Sequence, residues 1–180
     1  LRELGMGGVL TVAQGSATPP RFVVLEHAPA GHASDAPLIL VGKGVTFDSG
    51  GYSIKTADGM ATMKGDMAGA AAVLGAMRAI AGSKTAARVI ALVPMVENMI
   101  NSGAMRPGDV ITTLSGITVE IVNTDAEGRL ILCDALHYAK RFKPRAVVDI
   151  ATLTGVSAMA MGEGMAASVL YNDDDLATML

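Results

Sequence analysis

The chain has 180 residues: 51% are apolar, 17% charged and 3% aromatic, and 14 basic against 17 acidic residues give a net charge of −3. A disordered chain needs low hydrophobicity and high charge, and a nucleic-acid binder working by bulk charge needs a basic surface, so both classes are excluded. A single cysteine rules out a disulfide framework and a cysteine zinc site, and points to a reducing compartment.

No stretch predicts a membrane span. Residues 4–20 are uncharged, but Gln14, Ser16, Pro19 and several glycines break the run. A basic segment followed by an apolar one is absent, so no signal peptide is expected. The length predicts one domain. The chain starts at Leu1 and stops one turn into a helix capped by Asn172 to Asp175, as expected of a piece of a longer protein.

In chain order, short β-rich runs predict strands at residues 8–13, 21–26, 37–41, 88–93, 117–122 and 145–150. Several are almost continuously apolar, as strands buried on both faces are. A helix is predicted at 64–80, ended by Gly82; its many small residues imply close packing on several sides. A second helix at 130–142 has apolar residues at 131, 135, 138, 139 and 142, cations in its last turn and Pro144 beyond it. Alternating strands and helices predict an α/β fold: a mostly parallel or mixed central sheet with helices on both faces.

Three segments place polar residues where strands should end. The first is Val41-Gly-Lys-Gly-Val-Thr-Phe-Asp-Ser-Gly-Gly-Tyr-Ser-Ile-Lys55, whose glycines allow close backbone approach to a ligand. It lacks the spacing and the Ser/Thr of a phosphate-binding loop. The second is Met63-Lys-Gly-Asp66, an acid opening an otherwise uncharged helix. The third is Asn123-Thr-Asp-Ala-Glu-Gly-Arg129, where Asp125 and Glu127 would point the same way in an extended segment, with Arg129 following on that side.

Singly, these residues have structural readings. Asp48 fits a turn, Asp66 a helix N-terminus, and Asp125 with Glu127 a capping pair. Cys133 fits a small core residue, and the three histidines do not cluster near the acids. The basic residues 140–145 fit a solvated helix end. Together, however, Asp48, Asp66, Asp125 and Glu127 are four carboxylates on three strand-end loops that could converge. Such a group cannot stay ionised without counter-charge, and a pair of divalent metals would supply it. This predicts two-metal hydrolysis and leaves open a peptide bond or a phosphate ester.

The segments starting at Val41 and Asn123, the latter extending to Leu130, resemble the two defining motifs of the leucyl (cytosol) aminopeptidase family of di-metal peptidases. Met63-Lys-Gly-Asp-Met, Arg106-Pro-Gly-Asp-Val and Ala151-Thr-Leu-Thr-Gly155 are similar to further family segments, in the same order. The resemblance covers essentially the whole chain and implies a catalytic peptidase domain over residues 1–180. This domain would be truncated at its C-terminus and lack the family's N-terminal domain. It implies an enzyme removing N-terminal residues, Leu-like ones preferred, through a bridging water activated by two divalent ions (Zn, Mn or Mg).

By motif, Lys43 and Asp66 would ligate one metal and Asp125 the other, with Asp48 and Glu127 touching both. Lys43 would have to be neutral to do so. Lys55 would stabilise the oxyanion, and Arg129 would hold a bicarbonate that accepts a proton. Thr152, Leu153 and Gly155 would position the substrate backbone, and Met63 would line the side-chain pocket. Tyr52 and Gly65 depart from the family's common residues at non-ligand positions. The resemblance also implies a cytoplasmic location and a homohexameric parent protein, with peptides as partners and neither nucleic acid nor membrane. The alternative is a catalytically incomplete fragment acting only in metal binding or assembly.

Overall fold

A computed structural model describes residues 1–180. Its centre is a five-stranded mixed sheet built from β1 (Arg21–His27), β2 (Leu38–Gly42), β3 (Gly44–Asp48), β4 (Val89–Asn98) and β7 (Ala146–Ile150). The main order is β1-β4-β2-β7, with β3 paired to the far end of β4. β1 runs antiparallel to β4, and the other pairings are parallel. The expected α/β fold with a mixed sheet is therefore present. A separate antiparallel hairpin joins β5 (Val110–Thr112) to β6 (Thr118–Glu120). The strand expected at 117–122 is this short hairpin arm and lies outside the central sheet.

The continuous apolar runs are explained by two cores, one on each face. Along β4, Ile90, Leu92 and Val96 enter one core, while Val89, Ala91 and Val93 enter the other. β2 does the same with Ile39 and Val41 against Leu40. This is the two-residue period of a strand covered on both sides. One face is covered by α1 (Gly7–Val12) and α4 (Glu127–Ala139), the other by α3 (Ala68–Gly82).

Two expectations are corrected here. Residues 8–13 form α1 and a following 3-10 turn, not a strand. Met6, Val9 and Val12 recur with helical spacing and are fully buried. A Cβ on Gly7 or Gly8 would lie 1.8 Å from the Thr112 carbonyl oxygen or 2.2 Å from that of Leu130, so only glycine lets this segment dock. Asp134, itself fully buried, accepts the backbone N–H of Val9 at 3.0 Å and that of Leu114 at 2.8 Å. Tertiary contacts thus override the β-branched composition.

Nor is α3 enclosed on several sides. It buries Gly69, Ala70, Val73 and Met77 against the sheet and leaves its outer face, including Leu74, exposed. Its small residues serve the close approach on one side: a Cβ on Gly69 would lie 2.0 Å from the Ile150 carbonyl oxygen. Beyond β7, the chain forms two short helices, α5 (Val156–Met161) and α6 (Asp174–Met179). Met159, Met165, Leu170 and Met179 there are three-quarters or more exposed. A short helix, α2 (Ala57–Ala61), completes the set. No helix is long and apolar enough to cross a membrane.

Candidate functional site

At the carboxyl ends of the central strands lies a cleft of about 670 Å³. All eleven residues singled out from the sequence line it: Lys43, Asp48, Lys55, Met63, Asp66, Asp125, Glu127, Arg129, Thr152, Leu153 and Gly155. No histidine does.

Each polar group is set by a strand end or a helix start. Lys43 occupies the single residue between β2 and β3. Its backbone N–H donates to the Ile150 carbonyl at 3.0 Å, and its carbonyl accepts from Ala70 N–H at 2.9 Å. The peptide is held from both sides, so the side chain projects into the cleft. Asp48 ends β3. Gly50 and Gly51 then turn the chain back with φ of +85° and +65°, which only glycine adopts without strain. That turn returns Lys55 to Asp48. Asp66 follows a 3-10 turn at Met63–Gly65 and precedes α3.

The third segment differs from expectation. Glu127 is the first residue of α4, so Asp125, Glu127 and Arg129 do not form one face of an extended strand. Asp125 lies in the preceding loop. Arg129 is exposed at the cleft wall and makes no ion pair. Helical geometry points Glu127 inward instead.

The two lysines divide the four acids between them. Lys43 Nζ donates to Asp66 Oδ1 and Oδ2 at 2.7 and 2.8 Å and to the Thr152 carbonyl at 3.0 Å, and lies 3.0 Å from Glu127 Oε1. Lys55 Nζ lies 3.0 Å from Asp48 Oδ2. It also lies 2.7 Å from Asp125 Oδ1, a charge contact without hydrogen-bond alignment. Thr152 hydroxyl donates to Asp66 Oδ1 at 2.7 Å, so Thr152 engages both members of the Lys43–Asp66 pair, the lysine through its carbonyl and the acid through its hydroxyl. Two cations against four carboxyls leave the group short of positive charge.

The titrations of the acids reflect burial first and their mutual repulsion second. Burial pushes Glu127 up to about 7, with Asp48 adding to the rise and Lys43 opposing it. Burial also raises Asp66 above the usual carboxyl range, against hydrogen bonds from Lys43 and Thr152. Lys55 is lowered by burial, but its contacts with Asp125 and Asp48 outweigh this and hold it above its ordinary value.

The donor set fits divalent cations. Carboxylate oxygens of Asp48, Asp66 and Glu127 lie within 4.8 Å of one another, and all three residues are buried. Glu127 Oε2 is buried with no hydrogen-bond partner, a costly state for a carboxylate oxygen unless something fills its coordination. Oxygen-rich, mostly carboxylate clusters of this kind suit hard or borderline divalent ions.

Sequence reasoning missed the residues that tie these loops together. Asn98, at the end of β4, donates to Asp48 and to the Thr124 carbonyl. Thr124 in turn joins the 50–53 turn. The one signal was an Asn closing an apolar strand, level with Asp48.

A cleft at the ends of parallel strands, lined by a buried carboxylate cluster, defines an α/β protein with a site fit to hold divalent ions. The whole chain, residues 1–180, matches the cytosol aminopeptidase family, catalytic domain. The chain belongs to that family. It is 56% identical over 180 residues to a probable cytosol aminopeptidase of Aromatoleum aromaticum, covering 100% of this chain and 36% of that protein. It is 57% identical over 176 residues to a probable cytosol aminopeptidase of Azotobacter vinelandii, covering 98% and 35%. The structure of a leucine aminopeptidase of Caenorhabditis elegans superposes with a TM-score of 0.85 at 47% identity, over 90% of this chain and 33% of that one. The chain therefore spans about a third of the length of the relatives it matches.

Proposed function

We propose that this chain carries the catalytic centre of a metal-dependent aminopeptidase. It would hydrolyse the N-terminal peptide bond of peptides and prefer Leu-like residues. The observation that carries the reading is the convergence of Asp48, Asp66 and Glu127 on one buried point, with a Glu127 oxygen left unpartnered. Lys43 and Asp66 would hold one divalent ion and Asp125 the other, with Asp48 and Glu127 shared. When bound, the ions supply Lewis-acid polarisation and a nucleophile usable at neutral pH. Zn²⁺, Mn²⁺ and Mg²⁺ all fit the donor chemistry.

The chain's own groups divide the remaining work. Lys43 must give up its proton to serve as a ligand, and its amine then keeps its place beside Asp66. Lys55, held protonated by Asp125 and Asp48, offers N–H donors to an oxyanion developing at the scissile carbonyl. Arg129, exposed on the wall without an acid partner, is suited to hold a small anion such as bicarbonate that accepts a proton. Leu153 and Met63 present apolar surface to a substrate side chain, and Gly155 leaves backbone accessible beside it.

The test is hydrolysis of leucine amide by the Mn²⁺- or Zn²⁺-loaded chain, with bound metal measured alongside. About two ions per chain are expected, with turnover abolished by Glu127→Gln and by Asp48→Asn while the melting profile persists. An active Glu127→Gln variant would sink the assignment, and turnover of a phosphomonoester without leucine amide would move the reaction to phosphate esters. A second reading, binding or assembly without catalysis, is favoured by the exposed Met159, Met165, Leu170 and Met179. Gel filtration separates it: a clean monomer that binds no apolar dye argues against it. For the longer protein we propose a cytoplasmic homohexamer, as the family resemblance implies; relatives named cytosol aminopeptidases support the location.

A further inference from the structure

We propose that Asn98 is a positioning residue that fixes the distance and orientation between the Asp48 loop and the Asp125–Glu127 loop, with Thr124 as its partner in a buried polar clasp. The inference rests on the metal-site reading above.

Asn98 is 1% exposed and stands level with Asp48 in the β3–β4 register. Its two side-chain N–H groups diverge to two different loops. One donates to Asp48 Oδ1 at 2.8 Å and the other to the Thr124 carbonyl at 3.0 Å. Its own carbonyl accepts from Ser49 N–H at 2.9 Å and from Ser49 hydroxyl at 2.8 Å. Thr124, fully buried, closes the other side. Its hydroxyl donates to the Gly50 carbonyl at 2.6 Å and accepts Ser53 N–H at 2.7 Å, and its N–H donates to Ser53 hydroxyl at 3.2 Å.

The residue type follows from this geometry. Among uncharged side chains only an amide carries two donors on one atom at a fixed angle, so Asn ties two acceptors where Ser would tie one and Asp none. Asp48 Oδ1 is occupied by Asn98 and by Gly50 N–H, which turns Oδ2 toward Lys55 and the cluster. The packing leaves no slack: a Cβ on Gly51 would lie 2.9 Å from Thr124 Oγ1 and 3.2 Å from Asn98 Oδ1. A buried hydrogen-bonded network of this kind resists displacement, and a partner that orients a ligand typically changes metal affinity by about 10–100-fold.

The experiment is calorimetric titration of the metal-free chain with Mn²⁺ alone, together with thermal melts. The variants are Asn98→Leu and Thr124→Val, which keep the volume and remove the donors. Val89→Ala serves as the comparison, because it removes buried volume at the opposite end of β4. Both clasp variants are expected to weaken Mn²⁺ binding by about 10–100-fold. Val89→Ala is expected to lower the melting temperature and leave Mn²⁺ affinity unchanged. Wild-type Mn²⁺ affinity in both clasp variants overturns the inference while leaving the metal site standing. So does an equal loss in Val89→Ala, which would make the effect one of general stability. Absence of Mn²⁺ binding by the wild-type chain overturns the metal-site reading and this inference with it.

Discussion

Gly128→Ala sets two effects of opposite sign against each other. Gly128 is the second residue of α4, where alanine is better than glycine by about 0.5–1 kcal/mol on helix propensity alone. A Cβ there, however, would lie 2.5 Å from Lys43 Cε, 3.0 Å from Lys43 Nζ and 3.1 Å from Leu153 Cδ1. Carbon atoms sit comfortably at about 3.5–4.0 Å, so the overlap with Cε is about 1 Å. A free lysine would swing away at little cost. Lys43 is 2% exposed and is pinned by Asp66, Glu127 and the Thr152 carbonyl. Overpacking of this kind costs about 1–3 kcal/mol. The loss grows toward about 3–5 kcal/mol if Nζ leaves Asp66 and strands buried carboxylates. A net destabilisation of about 2 kcal/mol is expected by urea unfolding, with weakened Mn²⁺ binding by calorimetry. A variant as stable as wild type or more so, with unchanged Mn²⁺ affinity, would refute the claim that Lys43 is held in place.

The remaining predictions use the same logic elsewhere. Gly75→Ala lies on the exposed face of α3 with no atom within 4 Å of the new Cβ, so it should gain about 0.5–1 kcal/mol in the same urea assay. Asp134→Ala strips the Val9 and Leu114 N–H groups of their acceptor and should cost about 3 kcal/mol, with α1 amides exchanging faster by hydrogen exchange. Without metal, Glu127 titrates near 7 in the folded chain against 4.5 when free, and Asp66 is shifted the same way. The folded state therefore holds protons that the unfolded state has released, so stability should fall as pH rises from about 4.5 to about 7. Denaturation in chelator across that window should show a shallower slope in Glu127→Gln. An unchanged slope would mean that Glu127 ionises normally.

The layers and the candidate site residues are legible in the sequence alone. Apolar runs at 37–41, 88–93 and 145–150 are legible because strands covered on both faces tolerate few polar groups. The site residues are legible because glycine turns and clustered acids at strand ends have few structural uses, and because their motifs match a known family. Tertiary structure decided the rest. Residues 8–13 have strand-forming side chains, yet they become α1, because Gly7 and Gly8 let the backbone meet Thr112 and Leu130 and because Asp134 caps the helix from 125 residues away. Glu127 turns inward because α4 starts there, which a two-residue spacing cannot show. The division of four acids between Lys43 and Lys55, and the clasp made by Asn98 and Thr124, join residues far apart along the chain. Local propensity carries no information on such pairs, because their free energy arises only when folding excludes water and brings the loops together.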